Sequence, residues 1–574
     1  MGNETGASAR SVLWYLVFVG FAVNYMIRIN SNITIVTMVK SGSAKKAQLD
    51  QEPELMSSTM TPKQSQPKMY ACYVERNESD LSVGEDSAGR NRPTGRIRSE
   101  PNWVSPEKWL LKTLQLDTKD DGFEWDEYEQ GLVLGAFFWL HWLTQVPGGV
   151  LARKYGTKLV FGVANAVGCW LCFLMPLASY LDYRILIFLR AFQGLICGVS
   201  WPAMHHMAGQ WIPPNERSKF VTAYLGSSVG VALFFPLFGY IISWTSWEYV
   251  FHFCGIFGTI WYVAWLYFVY DSPAEHPRIH PKEREYIESS LGITEKSKEQ
   301  EREERTPWMK MIFSKAMWMT VIAQWAGIWG LFTVMTQAPS YFNYIHGWDV
   351  KMTGILSGIP HLCRMVFAYF FSMVGDYLLR RNLMSRTNVR KMGGAMCCLV
   401  NGLFVVALAY SGCDSTSAIV FLTLATMVHG AVSTGPLANI IDMSPKYAGI
   451  LLGISGMITV VPGFVSPILV GILTLGNQTV KQWEYVFLIT AGMLIVGGIL
   501  YTLFADATLQ PWNTGGTEDA QDARELVSLK LDVEQAMLEK EREASEMVQE
   551  AVTAELADDG DCRSEDPIGA VLAR

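Results

Sequence analysis

Two arginines, Arg28 and Arg190, stand inside runs of apolar residues long enough to cross a bilayer. A guanidinium there costs about 2.5 to 3.5 kcal/mol on insertion scales, so it must face water, a carbonyl or a negative partner. Neither run offers an Asp or Glu. The planar fork of N–H donors suits a carboxylate or a phosphate, so the residue type calls for an anion arriving from solution. The competing reading is that one or both snorkel outward or bond to helix carbonyls. Arg364, in a later apolar run, is a third such cation, read equally as a substrate or gating contact and as a structural pairing. His205, His206, His361 and His429 could relay protons, since imidazole titrates near neutrality, but packing or helix-end roles are the commoner use. Trp139, Trp329 and Phe332 could line a cavity, in a chain where aromatic residues are common everywhere.

The elements that would position these groups are membrane helices. Half of the 574 residues are hydrophobic, only 17% are charged, and there are 20 Trp and 28 Phe, more apolar mass than soluble cores need. A span takes about 20 such residues. That rule predicts twelve helices, near 12–39, 128–151, 159–180, 185–211, 219–243, 250–270, 316–345, 352–378, 390–410, 417–441, 447–474 and 484–505. The phrase Trp-Glu-Tyr-Val-Phe occurs at Trp247 and again at Trp483, opening the sixth and twelfth runs, which makes the chain two related six-helix halves. Self-similar halves are how many transporters are built, with the cargo held where the halves meet. The predicted organisation is 1–270 for the first half with an outer loop at 40–127, then a charged linker at 271–308. The second half runs over 309–505, followed by an acidic tail at 506–574. Arg and Lys crowd the even-numbered short loops, placing both termini in the cytoplasm. Asn77, in the sequon Asn77-Glu78-Ser79, is then a candidate glycan acceptor on the outer side. Gly131-x-x-x-Gly135 and Gly226-x-x-x-Gly230 allow close helix approach. Cys72 and Cys413 would share the oxidising side, and a bond between them is possible but not favoured, since nothing in the sequence shows that they meet. The net charge of −8 sits mainly in loop and tail, and no basic stripe calls for nucleic acid.

Gly148-Gly149 followed by Arg153-Lys154 after the second run, and Gly375-Asp376 followed by Arg380-Arg381 after the eighth, occupy equivalent places in the two halves. They resemble the loop signature of the major facilitator superfamily, with Arg153 where the family has Asp. The resemblance gives Gly149, Arg153, Lys154, Asp376 and Arg380 a structural and gating role. A sharper likeness lies in three stretches. They are Tyr25-Met-Ile-Arg28-Ile-Asn30, the run from Arg190-Ala-Phe-Gln193-Gly194 through Trp201-Pro202-Ala203-Met204-His205, and Asn439-Ile-Ile-Asp442-Met-Ser-Pro445. With these the chain resembles the anion:cation symporter family, which includes sialin, vesicular glutamate transporters and sodium-phosphate cotransporters. The resemblance implies an all-α membrane protein with twelve helices in two pseudo-symmetric bundles, and alternating access. It puts Arg28 and Arg190 at the anion site and Tyr25, Tyr224 and Asn439 on the cavity wall, with Gln193 helping to shape the pocket.

The departures are equally specific. Gln193 and Cys197 stand where sialin-like members have acidic residues, and Leu134 and Gly327 where glutamate-transporting members have His and Arg. Vesicular glutamate transport and proton coupling through the usual carboxylate are therefore disfavoured. The expectation is a transporter of inorganic phosphate or an organic anion, coupled to Na+ or H+ and acting as a monomer, with no other cofactor. The alternatives are voltage-driven transport, worth about 2.3 kcal/mol per charge per 100 mV, or a transport-dead receptor or scaffold. No nucleophile elbow, zinc-ligand helix or phosphate-cradling loop argues for an enzyme. The absence of an acidic dileucine leans towards the plasma membrane over lysosomal or vesicular membranes.

Overall fold

The computed structural model describes residues 8–39, 72, 105–115, 122–212, 222–291, 307–445 and 447–514. Residues up to Thr508 form one compact unit. A second begins at Leu509, of which the described part is a short 3-10 turn, Pro511–Thr514. Asn77, the 517–555 stretch of the tail and much of the outer loop and linker lie outside the described residues.

Solvation is inverted relative to a soluble protein. Phe188, Leu233, Phe370, Leu403 and Val496 lie exposed along their helices, whereas Asn24, Asn30, Arg190, Gln193 and Asn439 are fully buried. Among the described residues, ten helices are long and apolar enough to cross a membrane. They are Ala9–Met38, Tyr183–Ala208, Ala223–Trp244, Glu248–Phe268, Lys315–Tyr344, Val350–Arg380, Arg386–Ala409, Ser415–Met443, Ile450–Thr474 and Val480–Phe504. The third predicted span is the bent pair Thr157–Cys172 and Met175–Leu181. The second consists of three consecutive pieces, Glu127–Trp139, His141–Thr144 and Gln145–Tyr155. Ten of the twelve predicted spans are thus single helices of membrane length among the described residues, the third is a bent pair and the second is a run of three shorter pieces.

The breaks have a shared cause. Proline has no N–H for the carbonyl four residues back. Pro147, Pro176, Pro202, Pro436 and Pro462 would have served Leu143, Cys172, Gly198, Val432 and Ile458, and the second, third, fourth, tenth and eleventh spans loosen at those points. The starts are set by short polar side chains. Asp126 and Glu129 form a reciprocal capping box for the second span, and Asp349 accepts from Met352 N at 3.1 Å to open the eighth.

The two halves close on each other through glycines. A Cβ at Gly131 would lie 2.5 Å from Pro467 O, and one at Gly354 2.5 Å from Phe235 O, so the second span packs on the eleventh and the fifth on the eighth. Gly135 and Gly230 make similarly close approaches to Phe464 and Ala22, and Gly226 abuts Phe18, the use the two small-residue motifs predicted. At the end of the bundle where the seventh and ninth spans finish, Cys72 and Cys413 form a disulfide. This corrects the sequence reading, which could not see that the fold brings together residues 341 apart.

Candidate functional site

Arg28 sits two-thirds of the way along the first span and is 5% exposed. Its guanidinium lies 4.7 Å from the Tyr25 ring centre and 5.5 Å from that of Phe137. Its Nη2 donates to His141 Nε2 at 3.4 Å, and its Nε has no partner among the described residues. The rest of the His141 ring fixes the tautomer. Nδ1 lies 3.1 Å from Gly194 O, which can only accept, so Nδ1 carries the proton and Nε2 accepts from Arg28 and from Gln145 Nε2 at 3.1 Å. Arg28 therefore leans on a neutral acceptor and keeps its full charge.

Arg190 is fully buried on the fourth span, directly behind Arg28. Its Nη1 donates to Ile27 O, Asn30 Oδ1 and Gln193 Oε1 at 2.9, 3.2 and 3.0 Å, and its Nη2 to Arg28 O at 3.2 Å. Gln193 is held in turn through Nε2 to Gly168 O at 2.6 Å. Arg190 is also 5.4 Å from Phe137, so one ring touches both guanidiniums. The two charges are at most about 11 Å apart and repel by at least roughly 1.5 kcal/mol at an effective dielectric near 20. No carboxylate among the described residues lies within ion-pair distance of either.

The fold brings Tyr25, Arg28, Arg190 and Gln193 into one cluster, with Tyr224 next to it. Tyr224 packs on Phe21 at 4.8 Å, one turn before Tyr25, and against Trp201 and His205. Asn439 is elsewhere, buried where the tenth span meets the seventh, donating to Thr320 Oγ1 at 2.8 Å. Of the gating residues, Gly149 lies beside Pro202, a Cβ there coming within 3.8 Å, while Arg153, Lys154, Asp376 and Arg380 are exposed. The described ion pairs at that level of the second half join Asp442 to Arg390 at 2.6 Å and to Arg386 at 4.0 Å.

His141 is the functional residue the sequence reading passed over. Its signal was a lone imidazole six residues before Pro147, within an otherwise apolar span. Its partner, 113 residues away, is visible only in the fold.

The sequence profile of the Major Facilitator Superfamily matches residues 104–467. Sialin of Homo sapiens is 33% identical over 506 residues, covering 88% of this chain and 91% of that one. The chain belongs to the anion:cation symporter family of the major facilitators. The chain is also similar to vesicular glutamate transporter 2 of Bos taurus, 37% identical over 393 residues, with 68% and 67% of the two chains covered. The fold agrees with solved major facilitators at low identity. A bacterial homolog of the human lysosomal transporter Spinster aligns with a TM-score of 0.55 at 12% identity over 89% of this chain and 100% of that one. A D-xylose-proton symporter aligns at 0.51 and 12% identity, over 86% and 98%. The protein is a multi-pass membrane protein and a secondary transporter of anionic substrates.

Proposed function

We propose that this symporter carries inorganic phosphate or a small organic anion, with Arg28 as the primary anion contact and Na+ or H+ as the coupling ion. The observation that carries the proposal is the Arg28 guanidinium, buried in the membrane beside an aromatic ring and a neutral imidazole, with Nε unpartnered. An anion that replaces His141 at Nη2 gains a charge-assisted bond and relieves the repulsion from Arg190. Tyr25 forms the neighbouring wall, Arg190 and Gln193 hold the first span in register behind it, and Tyr224 and Asn439 stand at greater distance. Rocking of the halves exposes the site alternately to each side. The termini are cytoplasmic in this reading, and the Cys72–Cys413 bond on the opposite face supports an oxidising compartment there. The membrane is that of the cell surface or of a vesicle, and surface biotinylation against vesicle fractionation distinguishes them.

A second reading, voltage-driven anion transport without proton coupling, is favoured by the neutral surroundings of both arginines, since no carboxylate among the described residues lies within ion-pair distance of them to carry the proton. Flux into proteoliposomes decides between these readings, with sodium, proton and voltage gradients imposed singly against phosphate, sialate, glutamate and urate. Ion-coupled symport requires concentrative uptake under one chemical gradient at zero voltage. Uptake under voltage alone selects the second reading, and no flux of any anion under any gradient removes both.

A further inference from the structure

The second half holds its own unneutralised guanidinium. Arg364, near the middle of the eighth span, is half-buried; its Nε donates to His429 Nδ1 at 3.2 Å and its Nη1 to Ser228 Oγ at 2.8 Å. No carboxylate among the described residues lies within ion-pair distance of it. A guanidinium can only donate, so His429 Nδ1 accepts and the imidazole proton is on Nε2. The pair therefore has a net charge of +1, as Arg28 with His141 does. The likeness extends to the backbone. His141 opens the 3-10 segment His141–Thr144 in the second span, and His429 opens the 3-10 segment His429–Ser433 in the tenth. Each half thus sets a cation on a neutral imidazole at a helix break, the kind of discontinuity that lines substrate cavities in transporters.

The two pairs are linked by a short run of contacts. Ser228, which Arg364 grips, lies one turn beyond Tyr224 on the fifth span. Tyr224 packs on Phe21, and Phe21 lies one turn before Tyr25 on the first span. Tyr25 is stacked by Arg28. A single carboxylate held by Arg28 leaves Arg364 uncompensated. Arg190, by contrast, already has four oxygen partners.

Resting on the anion-transport reading, we propose that Arg364 with His429 is the second anchor of the site and that the cargo is a dianion of the dicarboxylate type. One carboxylate bonds Arg28 on the first half, and the other takes the place of Ser228 on Arg364 in the second. A ligand of this kind joins the halves, which is what an occluded intermediate of alternating access needs.

The test uses the purified full-length protein and three pairs of equal chain length: butyrate and succinate, pentanoate and glutarate, hexanoate and adipate. Binding is read as ligand-dependent thermal stabilisation. At least one dicarboxylate is expected to bind tenfold or more tightly than its monocarboxylate. Arg364→Met brings that pair to parity, the dicarboxylate losing its tenfold advantage over the monocarboxylate. Should Arg364→Met fail to fold, Arg364→Gln, which keeps a donor for Ser228 and loses the charge, must show the same parity. The proposal is overturned if wild type shows no dicarboxylate preference in any pair, or if the preference survives loss of the Arg364 charge. Failure of the transport reading looks different, because it is the absence of flux for every anion in the reconstituted wild type, whatever Arg364 does.

Discussion

Arg190 donates to Ile27 O, Arg28 O, Asn30 Oδ1 and Gln193 Oε1, so removing it breaks four charge-assisted bonds at once and unfastens the first span from the fourth. The loss is on the order of 3 kcal/mol. Arg28 has one long bond to an imidazole and two aromatic neighbours, and an apolar side chain could fill its place without orphaning a carbonyl. Arg190→Met is therefore expected to lower the melting temperature of the purified protein markedly. Arg28→Met should melt within a few degrees of wild type and lose roughly a hundredfold in apparent anion affinity, about 2.7 kcal/mol. Equal melting temperatures for the two variants would refute this division of labour. The sequence shows both residues as cations in apolar runs, and it cannot rank them, because the rank is set by carbonyls and by His141 on neighbouring helices. Asn439 illustrates the same limit, since its motif placed it on the cavity wall while the fold buries it against Thr320.

Helices were the most legible level. Span positions follow from apolar length alone, and several breaks can be read from the prolines that follow them, although the π-helical stretch Ala395–Val400 of the ninth span has none. Proline is not sufficient, however. Pro236, Pro339, Pro360 and Pro467 sit inside continuous helices. Glycine spacing showed that helices approach closely without saying which partner each would meet. At Gly131 the partner is the Pro467 carbonyl, and backbone cannot give way as a flexible side-chain tip can. Gly131→Ala should therefore cost about 1 to 3 kcal/mol and push the second span from the eleventh. A single cysteine placed between those spans near Glu127 should then react faster with a thiol reagent applied from the face opposite the termini. Gly453 supplies the control. A Cβ there meets nothing within 4 Å, so Gly453→Ala should be neutral or gain up to about 1 kcal/mol of helix propensity. Equal behaviour of the two variants would mean that the Gly131 contact does not hold that face closed.

Across the whole molecule, the segment between the first two spans is tied to both halves. Its roots are fixed to the first half, where Phe123 N donates to Met38 O at 2.7 Å, Ser105 bonds the buried Glu248, and Glu107 pairs with His252 at 2.8 Å. Cys72 fixes it to the second half through Cys413 and through its own N–H to Ile345 O at 3.0 Å. Halves that rock past each other could be locked by such a strap, and chain length decides whether they are. Thirty-three residues separate Val39 from Cys72 and another 33 separate Cys72 from Ser105. Either stretch can reach roughly 110 Å when extended, far beyond the thickness of a bilayer. Chain length alone therefore does not make the strap a restraint on rocking. Cys413→Ser should therefore leave the turnover of anion uptake within about twofold of wild type while lowering the melting temperature. The docking point also carries a pH dependence. Burial holds His346 below its ordinary value of 6.5, so the unfolded side chain takes up its proton first as the pH falls. The stability contributed there is complete above about pH 6.5 and declines below it. A wild-type melting temperature that falls between pH 7 and pH 5, with a shallower fall in His346→Phe, would match. Loss of uptake in folded Cys413→Ser would instead make the strap part of the gate.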